Sequence, residues 1–293
     1  MSTQQVTPEL RQWIVEQVQA GHTVESVLKS MRSAGWDEDV AVKALETTLQ
    51  DHLRGLTGGG ADSGAAQAAD ALPEAVPVPD VRLEGSPLHL DLGDRRVDVI
   101  SVMNKPRVVV LGNFMSDEEC DAIIETSRAR LARSLTVSVK TGGEEVHQDR
   151  TSYGTFLKRG ESEVVTRIEQ RIARMIDWPI EFGEGIQVLR YGPGAEYKPH
   201  YDYFDPKEPG TPTILTRGGQ RVATVVMYLS EPEGGGGTVF PDVGLDVSPK
   251  RGNAVFFSYD RPHPSSKTLH GGAPVIAGEK WIATKWLRQR EFT

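Results

Sequence analysis

From residue 186 to residue 287 the chain is cut into short apolar runs by glycine clusters at 218–219, 234–237 and 271–272. The runs Ile186–Tyr191, Tyr197–Phe204, Arg221–Leu229, Asn253–Ser258 and Lys280–Leu287 are short and rich in β-branched and aromatic residues, so they are expected to be strands. Upstream, Arg107–Leu111 reads as a further strand. Ser116 and Glu119 form a capping box for a helix running towards Leu131, and Ser162–Ile176 has helical periodicity that stops before Pro179. Helices first and many short strands afterwards predict an α+β fold, a β-sandwich or jelly roll buttressed by helices.

The first 54 residues are different in kind. Thr7-Pro8, Thr23 and Asp37 are candidate helix starts, Gly21 and Gly35 are candidate stops, and apolar residues from Ile14 to Leu49 recur at helical spacing. A small three-helix module over 1–54 is expected. With Gly35-Trp36 between its second and third helices it weakly resembles a ubiquitin-associated-type module, which implies a protein partner; a helical appendage is the plainer alternative. Residues 55–81 are mostly Gly, Ala and Pro, cannot repay their ordering entropy, and read as a flexible linker. The main domain is expected to occupy 82–293.

Composition removes several classes of function. Among 293 residues, 33 Lys+Arg against 41 Asp+Glu leave a net charge of −8, which argues against a nucleic-acid partner held by the whole surface. No apolar run is long enough to span a membrane, and no secretory signal is visible, so a cytoplasmic location is expected. A single cysteine, Cys120, excludes an internal disulfide and a cysteine-built zinc site.

A His-x-Asp pair on a strand places both side chains on one face, and with a distant histidine it makes the facial triad of non-haem Fe(II). The triplet occurs three times: His89/Asp91, His147/Asp149 and His200/Asp202. The first lies at the edge of the linker and the second in a polar turn, where solvated surface residues are expected. The third lies in the aromatic YKPHYDYF. Downstream stand His270 and a strand on which Lys280, Ile282, Thr284 and Trp286 share a face. Three ligands and a lysine aimed into one cavity suit a metal that chelates a 2-oxo acid whose far carboxylate needs a cation.

The segments RTSYGTFL, QVLRYGPGAEYKPHYDYF, GGQRVATVVMYLSEPEGGGGTVFP and LHGGAPVIAGEKWIATKWL together resemble the prolyl 4-hydroxylase branch of the 2-oxoglutarate- and Fe(II)-dependent dioxygenases, from about Pro106 to Leu287. The resemblance implies a double-stranded β-helix. It implies His200, Asp202 and His270 as iron ligands, and Lys280, assisted by Tyr191 and Thr238, as the 2-oxoglutarate site. It places Arg150, Ser152, Tyr197, Arg221 and Trp286 along a peptide groove; as plain residues they would be core aromatics, an ion-pair partner and solvated charge. Fe(II), 2-oxoglutarate, O2 and ascorbate are the implied cofactors. The implied reaction is 4-hydroxylation of proline in a peptide or cytoplasmic protein, with release of succinate and CO2.

Two rivals remain at this level: a dioxygenase acting on a free amino acid or other small molecule, and a peptide- or ubiquitin-binding adaptor with a degenerate oxygenase domain. The intact triad and lysine argue against the second. A nucleic-acid demethylase is disfavoured by the acidic charge and the lysine anchor. Lys285, on the opposite face from Lys280, is expected to be dispensable.

Overall fold

The computed structural model describes residues 6–19, 23–57, 72–133, 135–137, 144–146 and 151–293. The chain divides into one unit up to Ala71 and another from Leu72. In the first, α1 (Pro8–Gln19), α2 (Val24–Ser33) and α3 (Glu38–Thr57) begin where the caps place them. Thr7 Oγ1 accepts from Leu10 N–H at 3.4 Å, Thr23 Oγ1 from Ser26 at 3.3 Å and Asp37 Oδ1 from Val40 at 3.4 Å. Ile14, Val27, Met31, Ala41, Ala44 and Leu45 form its core, with Trp13 and Trp36 packed against them. α3 continues into sequence expected to be linker, because Gly55 alone costs a helix about 1 kcal/mol and does not end it.

The linker expectation needs a correction at its far end. Residues 58–71 lie outside the described residues, but 72–81 lie along the large unit. Val76 and Val78 pack on its core, Val81 is buried, and Val76 N–H donates to Asp260 C=O at 2.8 Å. Asp80 pairs with Arg107 at 2.7 Å. The Val-Pro-Val-Pro run that reads as a spacer also sets an extended backbone that needs no ladder bonds and turns its valines onto the core.

Nine antiparallel strands form the main sheet, in the order His89–Asp91, Arg96–Asn104, Arg107–Gly112, Ala254–Ser258, Arg221–Tyr228, Lys280–Arg288, Ile186–Tyr191, Tyr153–Leu157 and Ala132–Arg133. The central strands are apolar on both faces because both faces are covered. Val109, Leu111, Ile186, Val188, Ala254, Phe256, Trp281 and Ala283 join one cluster with α4 (Asp117–Arg128) and α5 (Glu163–Ile176). Their neighbours Val108, Val110, Leu189, Tyr191, Val255, Phe257 and Ile282 belong to a second cluster, with Phe240 and Val247 of a smaller sheet. That sheet runs Leu245–Val247, Thr238–Phe240, His270–Gly272, Tyr197–His200. Two sheets face to face with helices on the outer side make the α+β jelly roll, a double-stranded β-helix.

Ser116 and Glu119 cap α4 reciprocally, at 3.2 and 3.0 Å. Ser162 caps α5, whose Val165, Ile168, Ile172, Met175 and Ile176 are buried against the sheet. Glu169 on the same helix meets Lys285, which points to the helix side of its strand, and both side chains are 2% exposed. A Cβ on Gly183 would lie 2.4 Å from Lys285 Cε, so the lysine reaches Glu169 across a position only glycine leaves open. The expectation that Lys285 is dispensable is therefore overturned: alternation put it on the opposite face correctly, but that face is core. Lys285→Ala should strand Glu169 as a buried charge and cost about 3–5 kcal/mol, read as a lower unfolding midpoint. In the same assay a chain starting at Leu72 should unfold as the intact large unit does. One starting at Val81, which loses Val76 and Val78, should lose about 1–2 kcal/mol.

Candidate active site

Strand pairing, not sequence proximity, assembles the site. His200 and His270 face one another across the smaller sheet. Both imidazoles are oriented through Nδ1: His200 Nδ1 is 2.9 Å from Lys198 C=O and His270 Nδ1 is 2.9 Å from Thr268 C=O. A carbonyl only accepts, so each Nδ1 carries a proton and Nε2 is the ring atom left to a metal. Both Nε2 atoms face Asp202. His200 Nε2 lies 3.6 Å from Oδ1 and His270 Nε2 lies 3.5 Å from Oδ2. Burial pushes the His270 pKa down to about 4 despite the Asp202 charge, so the ring is neutral. Burial raises Asp202, but the two histidines and Arg221 outweigh it and hold the carboxyl well below its usual range. Two imidazoles and one carboxylate, with donor atoms within 4.8 Å of one another, fit a divalent ion with open positions, and Fe(II) by donor chemistry.

One element differs from expectation. The strand carrying His200 ends at that residue, and Asp202 lies in the bend that follows. Period-two alternation therefore does not aim Asp202. Its carboxylate accepts from Thr224 Oγ1 at 2.7 Å, and the backbone beyond it is held by Gln220, whose side-chain amide bonds both the N–H and the C=O of Phe204 at 2.8 Å.

Lys280, Tyr191, Thr238, Tyr197 and Trp286 line the same cavity as the three ligands, with Thr224, Thr284 and the apolar Leu189, Val226 and Ile282. Lys280 and Tyr191 are cross-strand partners, and the ammonium sits 5.5 Å from the tyrosine ring centre. Thr238 accepts from Tyr228 O–H at 2.8 Å. Lys280 is 2% exposed, and its ammonium makes no hydrogen bond or ion pair with the described residues. Burial pushes its pKa down to about 8, and Asp246 opposes the shift.

The remaining expected groove residues are distributed unevenly. Tyr197 stacks on His200 with ring centres 3.7 Å apart. Trp286 forms a wall of the cavity and stacks on the Arg221 guanidinium at 3.9 Å. Arg221 lies behind Asp202, paired with Glu184 through bonds of 2.7 and 2.9 Å, and does not line the cavity. Ser152 is fully buried and also not in the lining. Arg150, like His147 and Asp149, lies outside the described residues. His89 is a half-exposed partner of Asp98 and belongs to no cluster of three metal-ligand groups among the described residues. Sequence reasoning missed Thr224, Gln220 and Glu184. The polar side chain of Thr224 within an otherwise apolar strand was the available signal; nothing local marks the other two.

Residues 186–288 match the 2OG-Fe(II) oxygenase superfamily. Over 221 residues the chain is 44% identical to prolyl 4-hydroxylase 5 of Arabidopsis thaliana, covering 68% of this chain and 74% of that protein. Over 218 residues it is 42% identical to prolyl 4-hydroxylase 1 of the same plant, covering 69% and 75%. A solved structure of the viral collagen prolyl hydroxylase of Paramecium Bursaria Chlorella virus-1 with 2OG aligns at a TM-score of 0.48 and 32% identity, over 62% of this chain and 95% of that one. The protein is thus an enzyme, a 2-oxoglutarate- and Fe(II)-dependent dioxygenase. Within that class, the chain belongs to the prolyl 4-hydroxylase family. Asp202→Ala and His270→Ala should each abolish Co(II) or Fe(II) binding in a titration while the protein stays folded, and His89→Ala should bind as the wild type does.

Proposed function

We propose that the protein hydroxylates C4 of proline in a peptide or protein, with His200, Asp202 and His270 holding Fe(II) and Lys280 binding the far carboxylate of 2-oxoglutarate. The observation that carries this reading is the unpaired Lys280 ammonium. A lysine buried to this degree and left without a carboxylate is a costly feature unless an anion completes it. Lys285, five residues on, is equally buried and has its carboxylate. When bound at the triad, Fe(II) with 2-oxoglutarate and O2 supplies an oxidation that hydroxylates an unactivated carbon and releases succinate and CO2.

The chain's own residues bind, orient and exclude water. Tyr191 and Thr238 flank the lysine, and Leu189, Val226 and Ile282 make the rest of the pocket apolar, which strengthens the single ion pair. Trp286 Nε1 is buried with no hydrogen-bond partner among the described residues. It supports a substrate backbone carbonyl as the missing acceptor, and so a peptide rather than a free amino acid. Tyr197 and Trp286 offer flat apolar surfaces suited to proline rings, and Arg221 supports the Trp286 wall from behind. Ascorbate is the reductant expected for this chemistry. The fold uses no disulfide, and its one cysteine, Cys120, is buried, so a reducing cytoplasmic compartment suits it. No helix among the described residues is long and apolar enough to cross a membrane. The three-helix unit exposes Val24 and Val42, a small apolar surface suited to a protein partner.

Incubation with a proline-rich peptide, Fe(II) and 2-oxoglutarate should add one oxygen atom to the peptide by mass and release succinate in step. Succinate release driven by free proline but not by peptide would instead support the small-molecule reading. Lys280→Ala should raise the 2-oxoglutarate KM at least about tenfold, since a charged hydrogen bond is worth about 1.5–3 kcal/mol and 1.4 kcal/mol is a decade. Metal affinity should be unchanged. The pH dependence has a definite sign. Above about 8 the free lysine is neutral and must take up a proton to bind the carboxylate, so KM should rise about tenfold per pH unit there. Lys280→Ala should remove that slope.

A further inference from the structure

We infer that Thr224 and Tyr259 form a hydroxyl relay that positions the Asp202 carboxylate for the metal; this rests on the reading of His200, Asp202 and His270 as the metal ligands. Asp202 needs such a device because it stands in a bend past the end of its strand, where no ladder bond fixes its side chain. Thr224 Oγ1 lies 2.7 Å from Asp202 Oδ2 and 3.0 Å from the Tyr259 hydroxyl oxygen. A carboxylate oxygen only accepts, so the single threonine proton goes to Asp202. Tyr259 must then donate to Thr224, and the chain of bonds has one direction, from Tyr259 through Thr224 to Asp202.

The relay occupies Oδ2, and no hydroxyl among the described residues bonds Oδ1, so the two oxygens of Asp202 are not equivalent before any ion arrives. Both donors are held in place. Thr224 is fully buried on the strand Arg221–Tyr228, paired with Phe257 on one side and Trp286 on the other. Tyr259 is buried, and its ring packs against Phe257 and Tyr203 with ring centres 6.2 Å apart in each case. Burial holds its hydroxyl in the protonated, donating form. Neither residue bonds a histidine, so they act on the metal through Asp202 alone. They are positioning residues.

The test uses the full chain and Co(II) as the probe, read by affinity and by the visible absorption of the bound ion. Thermal unfolding of the metal-free protein serves as the control for packing. Thr224→Val keeps the side-chain volume and removes the donor, so Co(II) affinity should fall about 10–100-fold and the absorption should change. Thr224→Ser restores the hydroxyl and should bind within about threefold of wild type. Tyr259→Phe removes only the distal hydroxyl and should weaken binding less. The double change Thr224→Val with Tyr259→Phe should be no weaker than Thr224→Val alone, because the tyrosine acts through the threonine. Unchanged Co(II) affinity in Thr224→Val, or additive losses in the double variant, would overturn the relay. Unimpaired Co(II) binding in His270→Ala would overturn the metal-site reading, and the relay with it.

Discussion

Every residue of the strand Lys280–Arg288 is buried, and the architecture follows from making that possible for a strand carrying three cations. Its odd-numbered apolar residues face α4 and α5, and Lys280, Ile282, Thr284 and Trp286 face the cavity. Lys285 is neutralised by Glu169 from α5. Arg288 Nε lies 2.7 Å from Glu184, which also holds Arg221. Lys280 alone is left to a ligand. Removing a charge from water costs several kcal/mol, so each cation on this strand calls for a partner.

The same logic governs the ligand set. Two imidazoles and a carboxylate are drawn together in the interior, where their mutual electrostatics would be unfavourable if both rings were charged. The carbonyls of Lys198 and Thr268 orient the rings so that Nε2 faces the carboxylate, and burial keeps His270 neutral. Asp202 remains the one negative charge. Around it the polar neighbours are ordered: Thr224 on the carboxylate, Gln220 on the backbone of Phe204, and the Arg221–Glu184 pair beneath. Thr224 and Arg221 lie on one strand with Gln220 just before it, and Glu184 comes from a remote segment, so the geometry around Asp202 is a property of the folded sheet.

Buried charge also anchors the helices that back the sheet. Arg171 of α5 donates to Glu119 at 2.8 and 2.9 Å and to the Phe114 carbonyl at 2.7 Å, and it reaches Asp94 at 2.7 Å. Burial would raise Glu119, but bonds from Arg171, the Ser116 backbone and Arg167 bring it down to about 2. The glutamate that closes the α4 capping box thus also ties α4 to α5. Losing its charge would release both the cap and the tie.

Much of this was legible in the sequence because it is local. Caps at Thr7, Thr23, Asp37 and Ser116, the short strands, and the shared face of Lys280, Ile282, Thr284 and Trp286 follow from turn chemistry and from periods of 3.6 and 2. The motifs around His200, His270 and Lys280 identified the chemistry. Tertiary structure decided what depends on the far side of a contact. It ended the strand at His200 and gave the aiming of Asp202 to Thr224 and Gln220. It made the Val76–Val81 segment part of the large unit. It separated two lysines five residues apart into an ion pair with Glu169 and a buried ammonium lining the cavity. Alternation says which face a side chain takes, but the cost of burying it depends on the partner across the interface, and that partner comes from a remote part of the chain.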